Sequence, residues 1–92
     1  MRVLVRAFAK FRESAGGEVA IDLKDGSSLR DLLEAVVSDH PELYGDLLSP
    51  EGAIGDKVTI LLNRKGADLS DPEKTILEEG DEVALLPPFS GG

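Results

Sequence analysis

Leu29, Leu32, Leu33, Val36 and Val37 recur at i, i+3, i+4, i+7 and i+8. That spacing gathers five apolar side chains on one side of an α-helix and leaves the other side polar. Both ends of the run are marked. Ser27 or Ser28 can cap it, and Asp31 stands three residues after Ser28, at the back-bonding position of a capping box. Pro41 disfavours helical geometry in His40, so the helix is expected over about residues 28–39. A lone amphipathic helix of this length must bury its stripe against something else. The rest of the chain offers strands.

Val3, Val5, Ala7 and Ala9 alternate with Leu4, Arg6, Phe8 and Lys10, a period-two pattern with apolar members in both sets. FRESAGG (11–17) interrupts it, and EVAIDL (18–23) resumes it with Val19, Ile21 and Leu23 on one face. The pair reads as a hairpin closed by a short glycine-containing turn. KVTILLN (57–63) is a third strand with Val58, Ile60 and Leu62 inward, followed by a turn at NRKG. EVALLP (82–87) is the last, with Val83 and Leu85 on one face and Ala84 and Leu86 on the other. PELYGDLL (41–48) suits a short helical turn with Leu43, Leu47 and Leu48 inward, and SPEGAIGD (49–56) reads as a loop. ADLSDPEKTIL holds at most a short edge strand. The first and last strands are apolar on both faces, which places them centrally. The expectation is a two-layer α+β domain: a mixed sheet of four or five strands with one main helix packed on one face.

A chain of 92 residues with 41% hydrophobic content supports one such domain. It contains no cysteine, which excludes disulfides, thiolate metal sites and a side-chain sulfur nucleophile. No apolar run approaches the roughly 18 residues of a membrane span. MRVLVRAFAK carries charges inside its apolar stretch, unlike a signal peptide, so a cytoplasmic protein is expected. The net charge is −8, yet the first twelve residues hold Arg2, Arg6, Lys10 and Arg12 and no acid. Such a balance disfavours nucleic acid and favours a basic protein partner. His40 has no second histidine or cysteine to share a metal with, so no metal site is expected. Glu78, Glu79, Asp81 and Glu82 around Gly80 read as a solvated turn, and no Ser-His-Asp set, P-loop or dinucleotide motif is present.

Two segments carry a family resemblance: RAFAKFRESAG near the start and GDEVALLPPFSGG at the end. Together with the element order, they make the chain similar to the MoaD/ThiS family of ubiquitin-like, β-grasp sulfur carriers. The likeness covers essentially the whole chain. It is nearest to the MoaD form and to the archaeal small modifier proteins, since ThiS is typically shorter and lacks an insert like residues 41–56. The resemblance implies a β-grasp domain over residues 1–86 and an extended, flexible tail over 87–92 ending in Gly-Gly. It implies a carrier rather than a catalyst, with no bound cofactor. ATP would be consumed by a separate E1-like adenylating enzyme acting on Gly92, and a MoaE-like large subunit would receive sulfur for molybdopterin synthesis. Joining Gly92 to lysines of target proteins is the second reading, and a plain interaction module with an idle tail is the third.

The residues themselves fit such a route. A carboxylate resists nucleophilic attack until it is activated, most simply as a mixed anhydride with AMP. Gly91 and Gly92 lack Cβ atoms and can thread a narrow channel, while Pro87 and Pro88 favour stiff, extended backbone. With Phe89 and Ser90 they form a segment that reaches roughly 20 Å when extended. On the sheet, Leu4, Phe8, Leu61, Ala84 and Leu86 are expected to share the face away from the helix, an apolar patch suited to docking. The resemblance assigns partner binding to the same face. Phe8, Leu61 and Leu86 are therefore the expected docking residues, joined by Arg12, which matches a family arginine after the first strand.

Overall fold

The computed structural model describes residues 1–48, 55, 57–64 and 71–88. Its elements run β1 (Arg2–Ala7), α1 (Lys10–Ala15), β2 (Glu18–Asp22), α2 (Leu29–Asp39), a 3₁₀ turn (Pro41–Leu43), α3 (Tyr44–Leu47), β3 (Thr59–Leu62) and β4 (Glu82–Leu86). The strands form one sheet in the order β2-β1-β4-β3. β1 is antiparallel to β2 and parallel to β4, and β4 is antiparallel to β3. The first and last strands therefore lie side by side at the centre, as in the expected β-grasp.

Helix α2 forms where its stripe requires. Ser28 Oγ accepts from the Asp31 backbone N–H at 3.2 Å, and the Asp31 carboxylate accepts from the Ser28 N–H at 2.9 Å, completing the capping box. Leu29, Leu32, Leu33, Val36 and Val37 are all buried. They pack against Val3 and Val5 of β1, Ile60 of β3, and Val83 and Leu85 of β4 in one core. Each such side chain contributes about 1.5–3 kcal/mol when fully buried. The predicted turn at 41–48 is present, and Leu43, Leu47 and Leu48 close the end of the core.

The connection between β1 and β2 differs from the short turn expected of a hairpin. It is a six-residue helix, α1, and Phe11 within it is completely buried. Gly16, expected to make a hairpin turn, instead stops this helix. Its N–H bonds to Arg12 O at 2.9 Å, and its φ of 80° lies where a side chain is disfavoured. Burial of one phenyl ring against the leucine-rich core outweighs the weak intrinsic stability of so short a helix.

Beyond β3, Asn63 takes a left-handed φ of 52° and ties the turn to β4 through its side chain. Its Oδ1 accepts from Glu82 N–H at 2.9 Å, and its Nδ2 donates to Asp81 Oδ1 at 3.0 Å. Of the irregular crossing, residues 71–77 are described, and they run beside the start of α2, where Ile76 bridges the N-cap Ser28 and the Leu29 N–H donates to Thr75 O at 2.8 Å. Leu77 anchors it in the core. The sheet thus has four strands among the described residues. The expected loop 49–56 lies outside them apart from Gly55, whose N–H bonds to Leu47 O at 2.9 Å.

Phe11→Ala is expected to cost about 3–5 kcal/mol of stability, the range for emptying a buried aromatic site. Equilibrium denaturation measures it. A hairpin turn carrying an idle phenylalanine would give a change near zero.

Candidate functional site

Because β1 and β4 are parallel, both strands end at the same rim of the sheet. Ala7 is level with Leu85, and the Phe8 N–H donates to Leu85 O at 3.0 Å, which sets Phe8 next to Leu86. Leu86 is level with Thr59 on its other side. Beyond it Pro87 and Pro88 are exposed and belong to no strand or helix. β4 therefore ends beside Phe8, the most exposed large hydrophobic residue of the outer face. Phe89, Ser90, Gly91 and Gly92 lie outside the described residues.

The chain turns sharply after Phe8. Ala9 adopts φ 53° and ψ −128°, a conformation that a residue with a Cβ enters at a cost. Phe11 and Arg12 then donate backbone N–H bonds back to Phe8 O and Ala9 O, at 3.1 and 3.0 Å. This turn separates two aromatic rings three residues apart. Phe8 stays on the outer face, 37% exposed, while Phe11 enters the core. The Arg12 side chain passes beside Gly17, its Nε 3.4 Å from where a Cβ at that glycine would sit. Arg12 and Phe8 share a shallow pocket of about 220 Å³ with Arg6, Ala7, Gly17 and Glu18.

The strand register brings the predicted docking residues onto one face and adds a charge among them. Arg6 is level with Ala84 on one side, and Ala84 is level with Leu61. Leu4 lies level with Ala20 and Glu82. The patch is therefore not continuously apolar. Arg6 stands within it, 3.6 Å from Glu18 and 3.5 Å from Glu82, and its guanidinium lies 5.7 Å from the Phe8 ring centroid. Arg64 also reaches Glu82, at 3.6 Å. Two arginines and two carboxylates thus form a partly exposed network bordering Phe8, Leu61 and Leu86. A surface of this kind can bury an apolar centre and select a partner by charge.

The remaining polar candidates act in the fold. Asp81 accepts from the Glu78 N–H at 2.7 Å, and Gly80 at φ 85° bonds through its N–H to Arg2 O, so the acidic run builds a turn. His40 caps the end of α2 and lies 4.0 Å from Glu42. Among the described residues no three His, Cys, Asp or Glu side chains gather as a metal site. No described helix is long and apolar enough to cross a membrane.

Residues 5–92 match the ThiS family. A molybdopterin synthase sulfur carrier subunit of Chlamydomonas reinhardtii is 37% identical over 93 residues, spanning 100% of both chains. Small archaeal modifier protein 1 of Haloferax volcanii is 34% identical over 88 residues, covering 95% of this chain and 97% of that one. A crystal structure of that modifier superposes with a TM-score of 0.79 at 32% identity, covering 100% of both chains. A protein–protein complex of subunits 1 and 2 of the molybdopterin-converting factor from Helicobacter pylori contains a chain similar at TM-score 0.59 and 28% identity, with 100% of both chains covered.

The backbone at Ala9 generates a direct test. Ala9→Gly relieves the left-handed strain at a smaller cost in unfolded-state entropy, so stability should rise by roughly 0.5–1 kcal/mol. Thermal melting measures it. A loss of stability of that size would mean that Ala9 is relaxed where it stands.

Proposed function

The chain belongs to the ThiS family, and from that premise we propose that it is a non-catalytic sulfur carrier of the molybdopterin synthase type. The observation that carries the reading is the placement of β4. A central strand, fixed by pairing on both edges, passes directly into exposed Pro87 and Pro88 beside Phe8. The chain thus leaves the sheet at the rim that carries Phe8, and the match to the family continues through Gly92.

In this reading the carboxylate of Gly92 attacks the α-phosphorus of ATP on an adenylating enzyme, releasing pyrophosphate and forming an acyl adenylate. A persulfide sulfur then attacks the carbonyl carbon and AMP leaves. A thiol cleaves the resulting acyl disulfide at its outer sulfur, which frees a thiocarboxylate on Gly92 and leaves a disulfide on the donor side. The thiocarboxylate next enters a large subunit, where its sulfur passes to a molybdopterin precursor. Gly91 and Gly92 supply backbone narrow enough for both buried sites, and Pro87 and Pro88 hold the approach extended. Phe8, Leu61 and Leu86 form the apolar centre of docking, with Arg12 at its border. The Helicobacter pylori complex supports a two-subunit assembly of this kind.

The similarity to a small archaeal modifier protein favours a second use of the same tail. A lysine amine that displaces AMP, in place of sulfur, joins Gly92 to a target through an isopeptide bond. Activation is common to both uses, and only the nucleophile differs.

Deleting Gly91 and Gly92 is expected to abolish ATP-dependent adenylate formation by the activating enzyme while leaving the melting temperature unchanged. Gly91→Ala should keep the carboxylate and lose activity. Normal adenylation of the deletion would refute carrier and modifier together. Docking has its own test. Phe8→Ala or Leu86→Ala should weaken binding to the large subunit by about 1–3 kcal/mol without unfolding the domain, as measured by titration calorimetry. Unchanged affinity in both variants would move the interface elsewhere.

A further inference from the structure

β2 forms one edge of the sheet and is the most exposed of its strands, with none of its residues fully buried. Val19 and Ile21 point to the same side as the core residues Val5 and Val3, with which they are level. Yet Val19 is 38% exposed and Ile21 is only half-buried. Between this overhanging strand and the last turns of α2 runs a groove of about 410 Å³. Val5, Val19, Ile21, Ala35 and Val36 form its apolar floor.

The free edge above that groove has a defined hydrogen-bonding phase. Leu23 N donates to Met1 O at 2.8 Å and Ala7 N donates to Gly17 O at 3.0 Å, so Leu23 and Gly17 turn their backbone groups toward β1. Antiparallel pairs alternate, which assigns Val19 and Ile21 to β1 as well. The N–H and C=O groups of Ala20 and Asp22 then point away from the sheet. They are available to one further strand, whose alternate side chains would descend into the groove between Val19, Ile21 and Val36.

The groove also has a sign. Asp39 lines it beside His40, the backbone of Asp22 borders it, and no lysine or arginine does. Among the described residues Asp39 has no ion pair, and Asp22 has only the exposed Arg2 at 3.2 Å on the outer face. A second copy of this chain is a poor occupant. Antiparallel pairing of two β2 strands about Ala20 would set Glu18 opposite Asp22 of the other copy, a like-charge pair.

We propose that the β2 edge and its groove are a second docking site, separate from the outer sheet face. It takes an extended peptide segment of another protein, with apolar residues at alternate positions and basic residues flanking them. Backbone bonds to Ala20 and Asp22 supply pairing, and the groove supplies side-chain selection. Such a partner can bind while the Phe8 face is engaged, because the groove lies on the helix side of the sheet. The site is independent of the chemistry assigned to Gly92.

A labelled synthetic peptide of alternating valine and threonine, with two lysines at each end, is the probe. Titrated into the full-length protein, it should shift the amide resonances of Ala20, Asp22, Ala35 and Val36 and slow hydrogen exchange at Ala20 and Asp22. Replacing its lysines by glutamates should weaken binding by at least about tenfold. Added salt should weaken the lysine peptide and not the glutamate one. Ala20→Pro removes an outward N–H on an edge strand, where proline is tolerated, and should also cost about tenfold or more with the melting transition retained. Val19→Asp is the second variant, acting on the groove rather than the backbone, and should weaken the same peptide. Equal binding of both peptides, shifts confined to the Phe8 face, self-association through β2 or no binding would each overturn the proposal.

Discussion

The parallel pairing of β1 with β4 organises the molecule. Two parallel neighbours cannot be joined by a hairpin, so everything between residues 8 and 81 has to travel around the sheet. The long excursion gives α2 room to cross the inner face and leaves β3 to return along the other side of β4. Val3, Val5, Val83 and Leu85 sit at the middle of the pairing and are essentially inaccessible to water. The same geometry brings the C-terminal ends of both strands to one rim. Phe8 and Leu86 become neighbours there although they are far apart in sequence.

The two faces of that central pair serve different ends. The inner face and Phe11 carry stability through dense apolar contact with the helix stripe. The outer face carries Arg6, Glu18, Glu82 and Arg64 around exposed apolar residues, an arrangement of little value to a folded monomer because exposed ion pairs contribute at most about 1 kcal/mol. The chemistry proposed for Gly92 belongs to the segment after β4, whose described residues Pro87 and Pro88 contribute nothing to the core. A protein built this way can be handed between partners without disturbing its core. The strained turn at Ala9 is where the two roles meet, since it sends one phenylalanine outward and the next inward.

α2 was legible because each of its signals is local: a cap, a back-bonding acid, five apolar positions in phase and a proline beyond. The central strands were legible for a different reason, being apolar on both faces. α1 was not. Gly16 and Gly17 resemble a hairpin turn, and the alternation of β1 continues formally through Lys10, which conceals a break at Ala9 that no alanine announces. Phe11 acquires its burial in a core assembled from elements distant in sequence, a non-local fact. The role of Arg6 was hidden similarly, because its carboxylate partners come from two other strands. Alternation did identify Phe8, Leu61 and Leu86 as sharing a face. The reading of Gly92 came from family resemblance joined to the chemistry of an activated carboxyl, and no periodicity could have supplied it.

In the proposed function, this fold presents a carboxyl terminus for conversion to a thiocarboxylate. High-resolution intact-mass analysis of the protein isolated from its own cells tests it most directly. A population heavier than the unmodified chain by the exchange of one oxygen for sulfur is expected, with fragmentation placing that change on Gly92 and mild hydrolysis restoring the carboxylate mass. A protein found only with an unmodified carboxyl terminus, in cells actively making the cofactor and lysed under thiocarboxylate-preserving conditions, would contradict it.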